Sequence, residues 1–126
     1  MDLPNIAPTV VLMEDDAAVR SAMALCLEFH GLHVVTASTD LDLAQLIATR
    51  GLRPALIIAD YQLGSKTVFD VMPNVISGTD AKVIVTTGDI LPEIRAQVEA
   101  CGWRLLSKPY HPEEIMSCIE GHKGQE

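Results

Sequence analysis

Short apolar runs alternate with longer amphipathic segments from one end of the chain to the other. Thr9-Val10-Val11-Leu12-Met13 is rich in β-branched residues and has polar flanks, the pattern of a strand buried on both faces. Asp16 then offers an N-cap. Val19, Met23, Cys26, Leu27 and His30 recur at helical spacing until Gly31 stops the helix. The unit repeats. Leu32 to Ala37 reads as a second strand, and Asp40 to Arg50 as a second helix with Leu43, Leu46 and Ile47 inward and Gly51 at its end. Ala55 to Ala59 is a third strand, followed by a weaker helix over about Val68 to Ile76. Lys82 to Thr86 is a fourth strand. Pro92 opens a helix carrying Ile94, Val98 and Cys101, which Gly102 closes. Trp103 to Leu106 is a fifth strand, and Pro112 opens a last helix with Ile115, Cys118 and Ile119 on one face.

Strands that alternate with helices predict a parallel sheet covered on both faces. Right-handed crossovers leave few topologies. The expected fold is α/β, a flavodoxin-like doubly wound (βα)5 sheet with strand order 2-1-3-4-5. At 126 residues the chain reads as one domain. Its core is expected over about residues 8–121.

That order gives the polar residues a place. Ligands of open α/β sheets bind beyond the carboxyl ends of the strands. Glu14, Asp15 and Asp16 follow the first strand, Asp60 the third, and Thr86, Thr87, Gly88 and Asp89 the fourth. Ser107, Lys108 and Pro109 follow the fifth. The second strand, at the edge, brings only Ser38 and Thr39. Each of these has a plainer reading alone: Asp16 as a cap, Asp60 and Thr87 as turn formers, Lys108 as a solvated charge. Together they predict one pocket holding acids, a hydroxyl and an ammonium. Crowded carboxylates repel unless one is protonated or a cation joins them. Hard oxygen donors suit Mg²⁺ or Mn²⁺. Lys108 can meet a phosphate oxygen, Thr87 can donate to another, and Asp60 can act as metal ligand and as nucleophile. Such a pocket suits phosphoryl transfer, which needs mainly positioning and charge neutralisation.

Composition narrows the partners. The formal net charge of −8 disfavours autonomous binding to DNA or RNA. Cys26, Cys101 and Cys118 show no C-x-x-C spacing and fall on apolar helix sides, so they read as buried, reduced thiols in a cytoplasmic setting. No apolar run approaches a membrane span, and Met1-Asp2-Leu3-Pro4 has no signal-peptide character. His30, His33, His111 and His122 lack metal spacing, and the few aromatics, Trp103 among them, read as core or edge packing. There is no G-x-G-x-x-G and no P-loop.

Four stretches resemble the receiver domains of two-component response regulators, in order and along nearly the whole chain. They are VVLMEDD, PALIIAD, VIVTTG and LLSKPY. The resemblance implies that Asp60 accepts a phosphoryl group from a partner's phosphohistidine. It implies that Glu14, Asp15, Asp60 and the backbone carbonyl of Gln62 hold Mg²⁺ (or Mn²⁺), Asp15 more directly than Glu14. Thr87 and Lys108 would contact the phosphoryl oxygens, and the Lys108–Pro109 peptide would be cis. Gln62 and Asp89 flank the site and would tune the phosphate's lifetime. The implied partners are a sensor histidine kinase or phosphotransfer protein and a downstream protein target. No nucleic acid or membrane is expected, and the chain would be a monomer or weak dimer. It would act on its own phosphorylation and slow dephosphorylation and otherwise not as an enzyme.

The chain departs from the family pattern in three ways. Leu105 stands where many members carry a switching Tyr or Phe, and Tyr110 does not obviously replace it. The loop Leu63-Gly64-Ser65-Lys66-Thr67-Val68 lacks the usual later glycine, so its path and the third helix are open. No effector domain is read after the receiver, which suits a single-domain regulator or a piece of a longer protein. A non-phosphorylated interaction protein of the same fold is the alternative. A dedicated phosphatase would carry Asp-x-Asp after the third strand, where Asp60-Tyr61-Gln62 stands instead.

Overall fold

The computed structural model describes residues 9–77 and 79–124. Residue 8, the expected start of the core, and Met1–Pro4 lie outside the described residues, as does the side chain of His122. Five parallel strands form one sheet: β1 (Thr9–Met13), β2 (His33–Ala37), β3 (Leu56–Asp60), β6 (Lys82–Thr87) and β7 (Arg104–Ser107). Their order is β2-β1-β3-β6-β7. This is the expected 2-1-3-4-5 once sheet strands are counted along the chain, and it is the flavodoxin-like doubly wound arrangement.

The central strands explain their own composition. Val10 to Met13 and Leu56 to Ala59 are all buried, because helices cover both faces of the sheet. Alternate residues feed two cores. Val11, Met13, Ile57, Ala59, Val83 and Val85 face one side. Val10, Leu12, Leu56, Ile58 and Ile84 face the other. Burying each large aliphatic side chain contributes roughly 1.5–3 kcal/mol.

Helix α1 (Ala17–Phe29) begins where Asp16 Oδ1 accepts from the Val19 amide at 3.0 Å. Its buried stripe runs through Leu27, with Met23 and Ala24 packed beside it. Val19, expected to face inward, is 39% exposed and lines a cavity with Leu12 and Met23. Helix α2 (Asp40–Arg50) buries Leu43 fully and Leu46 and Ile47 partly, and ends at Gly51 with φ 62°.

The single weak helix expected over 68–76 is two four-residue helices, α3 (Val68–Val71) and α4 (Pro73–Ile76). Pro73 supplies no amide to the preceding turn and instead opens the second helix. The open loop before it is a small antiparallel hairpin, β4 (Gln62–Leu63) with β5 (Lys66–Thr67). Gly64 turns it with φ 67°, a conformation costly to any residue with a Cβ.

Helix α5 (Pro92–Ala100) buries Ile94 and Val98, and α6 (Pro112–Gly124) buries Ile115 and Cys118. The cysteines require a correction. Cys118 is buried, Cys26 is half-buried and Cys101 is exposed. Cys101 is the C-cap on which α5 stops before Gly102, one turn past the buried Val98. No helix among the described residues is long and apolar enough to cross a membrane.

Candidate functional site

Four strand ends meet at the carboxyl edge of the sheet. Asp60 is the last residue of β3 and stands opposite Thr86 of β6. Thr87 ends β6, and Lys108 follows β7 directly. The Lys108 amide donates to the Thr87 carbonyl at 2.8 Å, which carries the ladder one step beyond the sheet. The Tyr61 amide donates to the Thr86 carbonyl at 2.7 Å and fixes the chain leaving Asp60. The Lys108–Pro109 peptide is cis.

Lys108 Nζ donates to Asp60 Oδ2 at 2.8 Å and to Glu14 Oε1 at 3.1 Å. One ammonium therefore bridges two carboxylates from neighbouring strands. Burial works against its charge, but the hydrogen bonds it donates to Asp60 and Glu14, with their negative charges, hold Lys108 above the ordinary lysine range. Glu14 is buried, only 5% exposed, and this desolvation keeps its carboxyl above the usual glutamate range. The bonds from Lys108 and from the Asp16 amide work the other way without cancelling it.

Glu14, Asp15 and Asp60 each offer an oxygen, and the three oxygens lie within 4.8 Å of one another. Glu14 is buried, Asp60 half-buried and Asp15 exposed, so the cluster opens to solvent on the Asp15 side. Three hard carboxylate donors with an open side fit a divalent cation that keeps part of its water. Asp15 Oδ2 also accepts from the Gly64 amide at 2.9 Å, which ties the hairpin to the acid cluster.

The remaining expected residues fall around this centre. Thr87 is buried, and its hydroxyl is held loosely by the Asp89 backbone, donating to the carbonyl at 3.4 Å and accepting from the amide at 3.3 Å. Asp89 is exposed. Gln62 begins the hairpin, and its side-chain amide donates to the carbonyls of Gly64 at 3.0 Å and Lys66 at 3.2 Å. That amide holds the hairpin shut and does not extend free into the site. Leu105 is buried in the core on the α5 side.

Sequence reasoning missed three contributors. Arg20 Nη1 donates to the Glu14 carbonyl at 2.6 Å and braces the acid-bearing turn. An arginine on the first helix gives no signal of that reach. The Gly64 amide contact to Asp15 joins residues 49 positions apart. Tyr110 is buried on the opposite sheet face from Leu105, and its hydroxyl has no hydrogen-bond partner among the described residues. Burial, and then the nearby charge of Glu14, push its phenol far up. It walls an apolar cavity of about 320 Å³ beside the site, with Val19, Met23 and Pro109.

No family model matches the chain, and no curated protein matches it in sequence. Many solved structures match it in fold. A response regulator receiver protein from Burkholderia phymatum is 28% identical, with 90% of this chain and 95% of that one covered and a TM-score of 0.75. A response regulator receiver domain protein from Clostridium thermocellum is 18% identical, with 94% and 95% covered and a TM-score of 0.80. A response regulator protein from Burkholderia pseudomallei, solved with a phosphorylated aspartic acid, calcium ion and citrate, is 20% identical. There 94% of this chain and 71% of that one are covered, with a TM-score of 0.79. The chain has the receiver-domain fold of response regulators.

Proposed function

We propose that the chain is a phosphorylation-controlled signalling receiver in which Asp60 takes a phosphoryl group from a phosphohistidine of a partner. The observation that carries this is the meeting of Asp60, at the end of the central strand, with the Lys108 ammonium at 2.8 Å and the carboxylates of Glu14 and Asp15. A carboxylate oxygen of Asp60 attacks phosphorus, an acyl–phosphate bond forms, and the phosphorus–nitrogen bond to the partner's imidazole breaks. The imidazole leaves with the electron pair of that bond and takes up a proton. Lys108, already bonded to Asp60, follows the negative charge onto a phosphoryl oxygen. Thr87 leaves its long bonds to Asp89 and donates to a second oxygen. Glu14, Asp15, Asp60 and the Gln62 carbonyl would hold Mg²⁺ (or Mn²⁺), which when bound neutralises charge on the transferring group.

The output is a changed protein-binding surface read by a downstream protein. Histidine kinases or phosphotransfer proteins are the upstream partners, the setting is cytoplasmic, and turnover is confined to the chain's own phosphate. The calcium and phosphorylated aspartic acid in the Burkholderia pseudomallei relative support the same chemistry here. The test is to incubate the chain with phosphoramidate and Mg²⁺ and read intact mass. One acid-stable, base-labile phosphoryl group is expected on the wild type and none on Asp60→Asn. Labelling of the Asn variant, or none of the wild type, sinks the reading.

A further inference from the structure

The cavity of about 320 Å³ beside the acid cluster has two kinds of wall. Val19 and Met23 of α1, with Pro109 and Tyr110 of the loop after β7, make it apolar. Glu14 and Lys108 also line it. These two are bonded to each other at 3.1 Å, and Lys108 reaches Asp60 at 2.8 Å. An apolar cavity of about 150 Å³ is enough to hold benzene. One of about 320 Å³ has room for a bicyclic molecule.

Tyr110 gives this cavity an unpaired polar group. The residue is only 7% exposed, and its hydroxyl is the one buried side-chain polar atom without a hydrogen-bond partner among the described residues. Leaving a buried hydroxyl unpaired is costly, and a partner brought from outside offsets that cost. Burial, and then the charge of Glu14, keep the proton on the phenol, so what it lacks is an acceptor. A cation brings no acceptor. An anion would meet the charges of Glu14 and Asp60, between which the Lys108 ammonium is already shared. A neutral molecule meets neither objection, and its apolar body suits the remaining walls.

We propose that this cavity binds a small neutral molecule with an apolar bicyclic body and one hydrogen-bond acceptor, such as a bicyclic ketone, whose acceptor takes the Tyr110 hydroxyl. Occupation also bears on Asp60, and there the proposal rests on the receiver reading. Lys108 has to leave Glu14 to follow the phosphoryl group, and Pro109 and Tyr110 are the next residues of the chain. A molecule packed against Pro109 and Tyr110 fills the space into which that segment would move. It holds Lys108 on its resting partners, and the occupied protein takes up a phosphoryl group more slowly.

The probes are tetralone, its hydrocarbon counterpart tetralin, and the anion naphthoate. Each is titrated into the full chain and followed through backbone amide shifts. Saturable shifts at Val19, Met23 and Tyr110 are expected with tetralone, which should bind at least about tenfold tighter than tetralin or naphthoate. Tyr110→Phe keeps the apolar wall and removes the hydroxyl. It should bring tetralone down to the affinity of tetralin and leave tetralin unchanged, a result that an unfolded variant cannot produce. Saturating tetralone should slow labelling of the wild type by phosphoramidate and Mg²⁺ by at least about fivefold. At the same concentration it should slow Tyr110→Phe far less. Binding is overturned if tetralone gives no saturable shifts at these residues, if tetralin or naphthoate binds as tightly, or if Tyr110→Phe keeps the preference. Tetralone that binds without slowing the labelling overturns the control of Asp60. A wild type that takes no label without any probe refutes the receiver reading and that control with it, while the amide shifts still decide the binding.

Discussion

Lys108 serves Asp60 and Glu14 at once, and this sharing sets what happens when a cation arrives. The ammonium is the acid cluster's internal counter-ion, at 2.8 Å and 3.1 Å from its two partners. A divalent ion competes with it for the same oxygens. Lys108→Met removes the competitor and leaves the carboxylates mutually repelling. Mg²⁺ affinity should therefore rise by roughly tenfold, about 1.4 kcal/mol, measured by calorimetric titration. Unchanged or weaker binding would show that Lys108 does not oppose the metal. The sequence showed that Glu14, Asp15, Asp60 and Lys108 share a pocket, because the ends of parallel strands collect there. It did not show which acid is buried, since neighbours in sequence can face core and solvent. Glu14 went inward and Asp15 outward. The cysteines follow the same logic: helical spacing put all three on apolar sides, but only Cys118 sits under a neighbouring element. Thiol labelling near neutral pH should modify Cys101 rapidly and Cys118 only on unfolding. Burial raises the Cys118 thiol, so the stability it contributes is full below the ordinary thiol value and is lost as pH rises past the raised one.

The five sheet strands were legible because each is a buried apolar run with a turn signal on either side. Their order followed from handedness and connection rules rather than from any residue. The segment after Asp60 was not legible. Gln62–Thr67 has no apolar period, and its structure comes from contacts local to the turn and from a distant acid. Gln62 binds two carbonyls of its own hairpin, and Asp15 accepts from the Gly64 amide. The break between α3 and α4 could have been read from Pro73, which the apolar spacing of Val68, Val71 and Val75 conceals. Gly64 is the position on which the hairpin turns. Gly64→Val forces a β-branched residue to φ 67° with open space around it, so backbone strain is the cost and not a clash. The variant should lose about 1–2 kcal/mol in chemical denaturation. Because the Gly64 amide also holds Asp15, hydrogen exchange at that amide should quicken. A loss of stability with unchanged exchange at residue 64 would separate the hairpin from the acid cluster.

At the scale of the molecule, the −8 charge and the layered fold meet at the carboxyl end of the sheet, where three acids converge without enough positive charge to balance them. Glu14 carries the cost. Its pKa lies above the ordinary glutamate value of 4.5, chiefly from burial. A raised carboxyl contributes stability that is full below that ordinary value and is lost as pH rises through the folded value. The metal-free protein should therefore give up this contribution as pH rises above the ordinary glutamate value. Mg²⁺ acts in the opposite sense. It binds the ionised carboxylates of the folded state and stabilises by mass action, about 2.7 kcal/mol at a hundredfold excess over Kd. Melting followed by circular dichroism should show little Mg²⁺ effect below the ordinary glutamate value and a clear rise in Tm at neutral pH. Glu14→Gln should flatten both trends, since it neither ionises nor supplies a charged ligand. Asp60→Asn should weaken the Mg²⁺ effect while leaving the desolvation of Glu14 in place. If Mg²⁺ raised Tm equally at both ends of the range, the acid cluster would not be where the ion binds.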